Sequence, residues 1–472
     1  MTMKKDLLQS GGGWFRLAAV ALWAAVQLPA AAAANAGPAD DFAWVRGANY
    51  VPSYARNDVQ TWMDFDPEVI GRELGYAQKL RLNCVRVFLQ YAVYEQDPPR
   101  FLERFERLLQ LCEQHQIRLL PVVFDSCFGE FPDLQKYRDQ DWMASPGQNR
   151  LAEIYWPALE GYVRAVVGAH GSDRRIVMWD MMNEPTCTSY NQPEDQQLIW
   201  AFLRHFLAFT RRQTTLPLTV GVESSSLLGQ VVSQVEVLAF HNYQPGLRDD
   251  IRQVRELGRK SGQAILINEV VMRPQQPYSL ALPILREERI GWVFWELMFG
   301  KTQFTRGSSP IQGLVYPDGT CRDVREVALV AGVSPEEAAA LFPPRPAPKQ
   351  TEAGIVFTGF WTRWTGQGPR RERLFYSTSD ADSAVWDGAG GSAFLIHKTG
   401  PDCGIASVWI DGRPASRPEV DTYSAKVDWN HRTLLAEGLA PGRHTFTVKP
   451  AGRKNAESSN CYLQVVDFES AP

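Results

Sequence analysis

The chain has 472 residues, of which 44% are hydrophobic and 22% are charged, and this composition excludes a disordered protein. Its length exceeds that of one typical hydrophobic core, so we expect two or more domains. The net charge is only −4 and no long basic run occurs, so binding of nucleic acid has no electrostatic support.

The first residues have the pattern of an export signal. Lys4 and Lys5 precede an apolar stretch from Leu17 to Pro29, and Ala34-Asn35-Ala36 matches the small-residue cleavage pattern. We therefore predict a signal peptide over residues 1–36 and a secreted or periplasmic protein. An uncleaved anchor helix is the alternative, which the alanine-rich end disfavours. No other apolar run is long enough to span a membrane, so we expect no stable membrane insertion after cleavage.

Apolar runs alternate with amphipathic helical segments along residues 37–340. Eight strands alternating with helices over about 300 residues predict a (β/α)8 barrel. An open doubly wound sheet is the alternative, but that fold usually has a glycine-rich phosphate turn after its first strand, and none is present. The predicted strands are Phe42–Tyr50, Leu82–Tyr91, Ile117–Asp125, Ile176–Pro185, Leu218–Val222, Val237–Phe240, Ala264–Glu269 and Gly291–Leu297.

The chain changes character after the predicted barrel. Residues 341–352 contain the proline-rich run FPPRPAPK and are predicted to be a semi-rigid linker. Residues 353–472 consist of short strand-like runs separated by turn signals such as Asp411-Gly412. We predict an all-β sandwich of the jelly-roll type. Its predicted strands include Phe394–His397, Ser407–Ile410, Thr433–Leu435, His444–Val448 and Leu463–Val466.

Two predicted barrel strands end in the same polar pair. Strand four ends in Asn183-Glu184-Pro185, and strand seven ends in Asn268-Glu269. Active sites of such barrels lie at the carboxyl ends of the strands, and strands four and seven face each other across the barrel. Because hydrolysis of a glycosidic bond needs two carboxyl groups, this pair predicts a glycoside hydrolase. For the first motif alone, a chance Asn-Glu-Pro at a helix start is the alternative.

Metal binding is the other use of carboxylates at strand ends. It would require a third ligand and histidines, and only His241 of the seven histidines stands at a predicted strand end. We therefore predict no metal and no cofactor. The seven cysteines include no CxxC pair. A disulfide is plausible between Cys127 and Cys187, which follow neighbouring strands, and between Cys403 and Cys461, the only cysteines of the sandwich.

From roughly Phe42 to Gly332 the chain resembles the clan A glycoside hydrolases, most closely the cellulase-like family five. Asn-Glu-Pro at the end of strand four is the acid/base signature of that clan. The resemblance therefore implies that Glu184 is the acid/base and that Glu269, which ends strand seven, is the nucleophile. Family members often carry a histidine at the end of strand three, where this chain has Asp125, so the subfamily and the substrate stay open.

The resemblance also implies a set of substrate-binding residues. Arg86 matches the arginine that supports the nucleophile, and His241 and Tyr243 match a His-x-Tyr pattern after strand six. Trp295 matches the tryptophan that floors the sugar subsite, and Asn183 can hold the sugar 2-hydroxyl. Structural roles are the alternatives: Arg86 could pair with another barrel carboxylate, and His241 and Tyr243 could cap strand six.

The expected function is that of an exported retaining β-glycosidase. Its partner would be a β-linked poly- or oligosaccharide, cleaved by a double displacement that uses two glutamates. Transglycosylation on a cell-wall or exopolysaccharide glycan and non-catalytic glycan binding are the alternatives. The segment from Gly391 to Phe468 resembles galactose-binding-like ancillary domains, which bind sugars or buttress a barrel. The sugar, the linkage and the oligomeric state stay open.

Overall fold

The computed structural model describes residues 41–128, 132–187, 193–244, 246–305, 312–364 and 374–471. The signal peptide predicted for residues 1–36 lies outside these ranges, so export stays a prediction. Within the described ranges, no helix combines the length and the apolar character that crossing a membrane requires.

Eight parallel strands close into a barrel in chain order, and the first pairs with the last. Every residue of the second strand and of the fourth to eighth strands is buried, which explains why they read as short apolar runs. The predicted (β/α)8 barrel is confirmed. The strands are β1 (Arg46–Asn49), β2 (Cys84–Phe88), β3 (Arg118–Val122), β4 (Trp179–Asn183), β5 (Leu218–Val222), β6 (Val237–Asn242), β7 (Ala264–Val270) and β8 (Trp292–Phe294).

Helices surround the barrel and bury one face each against it. The second helix begins at Pro67, and the Asp66 side chain accepts hydrogen bonds from the backbone N–H groups of Glu68 and Val69, as expected for an N-cap followed by proline. The described helices are α1 (Asp58–Met63), α2 (Pro67–Lys79), α3 (Tyr91–Gln96), α4 (Pro98–Gln114), α5 (Trp156–Val166), α6 (Pro193–Arg211), α7 (Leu247–Ser261), α8 (Tyr278–Glu287), α9 (Val324–Ala331) and α10 (Pro335–Leu341).

The C-terminal part consists of two antiparallel sheets. The six-stranded sheet has the order β16-β15-β18-β13-β10-β9 and the five-stranded sheet the order β11-β12-β19-β14-β17. The strands are β9 (Lys349–Glu352), β10 (Ile355–Thr358), β11 (Thr362–Arg363), β12 (Phe375–Ser377), β13 (Ser383–Ala389), β14 (Ser392–Thr399), β15 (Ile405–Ile410), β16 (Arg413–Asp421), β17 (Asp428–Glu437), β18 (Arg443–Pro450) and β19 (Leu463–Ala471).

One apolar core joins the two sheets, because Phe357 and Phe446 of the first sheet pack in the same cluster as Leu395 and Phe468 of the second. This arrangement confirms the predicted all-β sandwich. All five predicted strand runs fall within β14, β15, β17, β18 and β19. The predicted linker, residues 341–352, contains the last residue of α10 and all of β9, which pairs with β10.

No disulfide joins any of the seven cysteines, all of which lie in the described ranges. The predicted Cys403–Cys461 bridge is therefore absent from this structure. The Cys403 thiol instead lies 3.6 Å from the backbone oxygen of Lys398, within reach of a weak hydrogen bond. Cys127 and Cys187 are not bridged either, but their Sγ atoms are only 3.3 Å apart.

Candidate active site

The seven predicted site residues all lie at the carboxyl end of the barrel. Arg86, His241 and Glu269 stand within β2, β6 and β7, and Asn183 is the last residue of β4. Glu184, Tyr243 and Trp295 follow the ends of β4, β6 and β8 by one residue each. The structure therefore brings together the two glutamates that the strand-end argument selected and the residues that the resemblance implied.

Strands β4 and β7 have an irregular pairing register that directs their polar side chains toward the barrel interior. Against β5, the pairing of β4 slips by one residue between Asp180 and Asn183, so Met181 and Met182 both pack in the main hydrophobic cluster with the helices. Against β6, the pairing of β7 slips likewise before Glu269. Such bulges re-aim side chains next to active sites. They put Asp180 and Asn183 of β4 on the same interior network.

The backbone at Glu184 has an unusual conformation. Its φ angle is +43°, a left-handed value that costs a non-glycine residue free energy and often marks a functional site. The strain is offset by three hydrogen bonds. The Glu184 N–H donates to the carbonyl of Gly221 at 2.8 Å, and the Ser126 hydroxyl donates to the carbonyls of Glu184 and Pro185.

Arg86 is fully buried and holds the interior of the site together. Its Nη1 donates to Oε1 of Glu269 at 2.6 Å and to Oδ1 of Asn49 at 2.9 Å. Its Nε and Nη2 donate to Oδ2 of Asp180 at 3.0 and 2.8 Å, and Nη2 also donates to Asn183. Burial opposes the charge, but Asp180 and Glu269 outweigh it and raise the pKa of Arg86. Arg86 therefore pairs both with Asp180, a buried carboxylate of the barrel, and with Glu269, and its support of a nucleophile stays a prediction.

Glu269 is buried and accepts hydrogen bonds at both carboxylate oxygens. Oε1 accepts from Arg86 and Oε2 accepts from the Tyr243 hydroxyl. Burial raises the pKa of Glu269, opposed by the positive charges of His241 and Arg86. These donors fix the orientation of the carboxylate and favour its ionised form.

Glu184 is tied to a histidine. Nδ1 of His241 lies 2.8 Å from Oε1 of Glu184 and 3.5 Å from Oε2 of Glu269. Burial opposes the charge on His241, but the two carboxylates raise its pKa. Burial also works against ionised Glu184, but the hydrogen bond and charge of His241, together with hydrogen bonds from Cys127 and Cys187, outweigh it and lower the pKa of Glu184. The lowered pKa of Glu184 and the raised pKa of His241 both favour the ion pair, with the proton on Nδ1 of His241.

An aromatic cluster stands beside the two glutamates. Trp295 packs edge-to-face against Phe304, and its ring centroid is 6.0 Å from that of Trp142. Tyr243 packs against the same cluster. Trp292, three residues earlier, packs instead in the main cluster with the helices. Trp295 and Trp292 therefore pack in different clusters.

Three polar residues of the site were not predicted as site residues, although Asn268 and Asp125 stand at the ends of predicted strands. Asp180 accepts a hydrogen bond from Arg86. The sequence feature that could have identified Asp180 is a lone charged residue inside the apolar run of strand four. Asn268 donates to the same Asp180 oxygen at 3.0 Å. Asp125 accepts from Asn183 Nδ2 at 3.0 Å and from Trp142 Nε1 at 2.6 Å. Burial raises the pKa of Asp125 to about 7, against those hydrogen bonds.

Among the residues that the structure describes, two clusters have the spacing of metal ligands. Glu184 and His241 form one with Glu269, and Cys127 and Cys187 form the other with Glu184; in each cluster the ligand atoms lie within 4.8 Å of one another. In the first cluster, both oxygens of Glu269 already accept hydrogen bonds from Arg86 and Tyr243, and the adjacent guanidinium opposes a further cation. The absence of a metal stays a prediction.

Another cavity lies elsewhere in the part of the chain that the structure describes. It has a volume of about 630 Å³, and its lining includes Tyr278, Arg322 and Trp361, where the barrel meets the sandwich. None of the seven predicted site residues lines it. We place the candidate active site at the barrel end because the paired buried carboxylates are there, and cavity size alone carries no chemistry.

Comparison with known proteins adds several likenesses in fold. No family model and no curated protein matches the sequence. An exo-beta-1,4-mannosidase from Opitutaceae bacterium strain TAV5 matches with a TM-score of 0.46 at 17% identity over 63% of this chain. The match spans 60% of the mannosidase, which is less than two thirds of its length. GH5_18 from Streptomyces cattleya in complex with GlcNAc matches with a TM-score of 0.46 at 15% identity over 64% of this chain and 82% of that one.

A longer match reaches beyond the barrel. The beta-glucuronidase of Bacteroides uniformis matches with a TM-score of 0.44 at 11% identity, over 91% of this chain and 65% of that chain. These solved structures are glycoside hydrolases, the group that the sequence resembles. With TM-scores below 0.5, the likenesses carry no argument about activity, and the case for function rests on the site.

Proposed function

We propose that the protein is a retaining β-glycosidase in which Glu269 is the nucleophile and Glu184 the acid/base. One observation carries the proposal. A carboxylate oxygen of Glu184 and one of Glu269 lie within 4.8 Å of each other at the ends of β4 and β7. Retaining glycosidases need carboxyl groups about 5–5.5 Å apart, whereas inverting enzymes need about 6.5–9.5 Å.

The different surroundings of the two carboxyls support the assignment of roles. Glu269 has a donor on each oxygen, and one of these, Arg86, is a permanent cation. This setting suits a carboxylate that must attack the anomeric carbon while ionised and correctly oriented. Glu184 has a titratable donor, His241, at 2.8 Å. This setting suits a group that must give up and recover a proton.

In the first step, Glu269 forms a bond to the anomeric carbon as the bond to the leaving oxygen breaks. Glu184 gives its proton to that oxygen. The proton reaches Glu184 from Nδ1 of His241 when the sugar enters, because a bound sugar excludes water and disfavours the charged Glu184–His241 pair. Asn183 has a second amide proton beside the one that it gives to Asp125, and this proton can go to the sugar 2-hydroxyl.

In the second step, Glu184 accepts a proton instead of donating one. Glu184, now ionised, takes a proton from water, and the water oxygen attacks the anomeric carbon from the face that the leaving group left. Glu269 is released as a carboxylate into its hydrogen bonds with Arg86 and Tyr243. Two inversions at the same carbon give net retention of the β-configuration.

We further propose that the substrate is a β-linked poly- or oligosaccharide met outside the cytoplasm. The support for export is the signal-like sequence of residues 1–36. The support for a sugar is the aromatic cluster of Trp295, Trp142 and Phe304 beside the glutamates, because flat rings offer apolar faces to pyranose rings.

The test is sugar release from a panel of β-glucan, mannan, xylan and galactan, with the matching nitrophenyl glycosides. Wild type is compared with Glu269→Ala, Glu184→Ala and a surface control, Glu103→Ala, whose side chain is exposed on α4. We expect activity in wild type and in the control that both site variants lose. Equal activity in Glu269→Ala and wild type would reject the proposed site, and sugar binding without turnover on every substrate would favour the non-catalytic alternative.

A further inference from the structure

Two cysteines meet beside the proposed acid/base. Cys127 follows β3 and Cys187 follows β4, and their Sγ atoms are 3.3 Å apart. Cys127 is buried and Cys187 is half-buried. The two sulfur atoms and an oxygen of Glu184 all lie within 4.8 Å of one another. The proposed mechanism makes no use of either cysteine.

The loops that carry the cysteines are tied to each other. Ser126, next to Cys127, donates from its backbone N–H to the carbonyl of Asn183 and from its hydroxyl to the carbonyls of Glu184 and Pro185. Cys187 donates from its own N–H to the carbonyl of Glu184 at 3.2 Å. These hydrogen bonds therefore hold the two loops, and with them the two sulfur atoms, close together. Since a disulfide has an S–S distance of about 2.05 Å, the sulfurs at 3.3 Å need to close by only about 1.3 Å.

We propose that Cys127 and Cys187 form a reversible disulfide beside Glu184 that controls its action as acid/base, so that the oxidised protein is the more active form. The inference rests on the proposed role of Glu184. It adds a modification site that the glycosidase mechanism does not require. The oxidant is a disulfide, either a small molecule or a disulfide of an exported exchange protein.

The chemistry is two successive thiol–disulfide exchanges. The thiolate of Cys187, the more exposed partner, attacks one sulfur of the oxidant and releases its other sulfur as a thiol. Cys127 then attacks the Cys187 sulfur of this mixed disulfide and releases the second thiol. Two protein thiols lose two electrons and two protons, and one oxidant disulfide gains them. The hydrogen bond with Cys187 and burial both raise the pKa of Cys127, which supports Cys187 as the first attacker.

The consequence for Glu184 follows from the hydrogen bonds. Burial favours its protonated form, but hydrogen bonds from His241 and then from the two thiols lower the pKa of Glu184. A disulfide has no S–H group, so oxidation removes the thiol donors and keeps the hydrogen bond from His241. The proton then moves more readily from His241 to Glu184, where the first step of glycosidic cleavage uses it.

The test uses the full chain, equilibrated either with oxidised glutathione or with dithiothreitol. Non-reducing peptide mapping by mass spectrometry measures the Cys127–Cys187 cross-link, and kcat/KM against pH measures the acid/base on the most reactive substrate of the panel. The Cys127→Ala/Cys187→Ala variant removes the thiol donors permanently, and Cys321→Ala, which alters a buried cysteine elsewhere in the barrel, is the matched control.

We expect the cross-link in oxidised wild type and in oxidised Cys321→Ala, with a loss of 2 Da per molecule. We expect the alkaline limb of kcat/KM to lie at higher pH in the oxidised form, and activity at neutral pH to fall several-fold on reduction. The double variant should show the oxidised profile under both conditions.

Three results would overturn the proposal. One is the absence of the cross-link, with glutathione remaining on Cys187. Another is a cross-link that leaves the pH profile unchanged. The third is a double variant that still responds to dithiothreitol. If the protein is inactive on every substrate, the failure belongs to the proposed function, because peptide mapping still reports whether the disulfide forms.

Discussion

Nη1 of Arg86 lies 2.6 Å from Oε1 of Glu269, and the rest of the same guanidinium is held by Asp180 and Asn183. Both partners are buried, so removing one leaves a charge without compensation. The arginine thus fixes the position of the proposed nucleophile from the side opposite to solvent. The planar shape of the guanidinium matters, because its five N–H donors bond to four acceptor atoms, on Glu269, Asn49, Asp180 and Asn183.

Replacement of Arg86 by lysine tests that geometry. Arg86→Lys keeps the charge but cannot reach Glu269, Asp180 and Asn183 at once. We expect kcat/KM to fall about 10²–10³-fold, in the range for loss of one preorganised electrostatic contact, with a smaller change in KM. Steady-state kinetics on the best substrate measures both. A loss of less than fivefold, with the fold intact by circular dichroism, would contradict this role.

Rescue by a small anion distinguishes the two glutamates. Glu269→Ala and Glu184→Ala should each lose on the order of 10⁴-fold or more in kcat. With an activated aryl glycoside, azide should occupy the gap in Glu269→Ala and give the inverted α-glycosyl azide. In Glu184→Ala azide should attack the glycosyl-enzyme and give the β-glycosyl azide. NMR of the products decides the outcome, and the opposite pairing would exchange the proposed roles.

The pKa shifts predict a bell-shaped pH dependence. Glu269 must be ionised, and since its pKa is raised above 4.5, kcat/KM should fall as the pH drops through a value above 4.5. The Glu184–His241 pair must keep its proton, and since the pKa of His241 is raised above 6.5, kcat/KM should fall as the pH rises through a value above 6.5. These limbs report the coupled group rather than single residues.

His241→Asn tests the origin of the alkaline limb. The amide keeps a donor toward Glu184 but holds no titrating proton, so the proton must reside on a carboxyl. We expect the alkaline limb to move to lower pH, because the ordinary pKa of a glutamate, 4.5, lies below that of histidine, 6.5. Tyr243→Phe, which removes a donor to Glu269 only, should leave that limb in place. Unchanged limbs in His241→Asn would remove His241 from the proton path.

A glycine of β5 makes room for the polar network. A Cβ atom on Gly221 would lie 2.5 Å from Asn268 Nδ2, 2.9 Å from Arg86 Nη2 and 3.0 Å from Asp180 Oδ2. Gly221→Ala therefore has to displace the guanidinium that holds Glu269. We expect a stability loss of about 1–3 kcal/mol, as for other overpacked cores, and at least a tenfold loss of kcat/KM. Gly161→Ala, where a Cβ meets no atom within 4 Å, is the control and should leave kcat/KM unchanged and raise stability by about 0.5–1 kcal/mol, because alanine favours the interior of α5.

Asp125 is expected to position the aromatic cluster rather than to react. In Asp125→Asn the new amide can still accept from Asn183, but its N–H₂ group faces the Trp142 Nε1 donor, which lies 2.6 Å from Asp125 Oδ2. We expect a loss of about 1–3 kcal/mol of stability and a rise in KM larger than the fall in kcat. Combining Asp125→Asn with Trp142→Phe should restore part of the stability in a double-mutant cycle. Strict additivity would show that the hydrogen bond is unimportant.

The sequence was sufficient for the barrel because each strand is a short apolar run between helices, and two of the runs end in Asn-Glu. The polar interior was less predictable. Asp180 lies inside an apolar run, and its inward direction depends on a register shift against β5 that periodicity does not encode. Cys127 and Cys187 follow neighbouring strands, so their proximity was predictable, but the 3.3 Å distance between their Sγ atoms was not.

The anomeric configuration of the first product tests the central claim most directly. Wild type would be mixed with the best substrate of the panel, and proton NMR would follow the anomeric signals before mutarotation. Two glutamates acting in double displacement predict that the β-anomer appears first and the α-anomer only as the sugar equilibrates. Initial release of the α-anomer would contradict the account, because a single displacement leaves Glu269 with no covalent role.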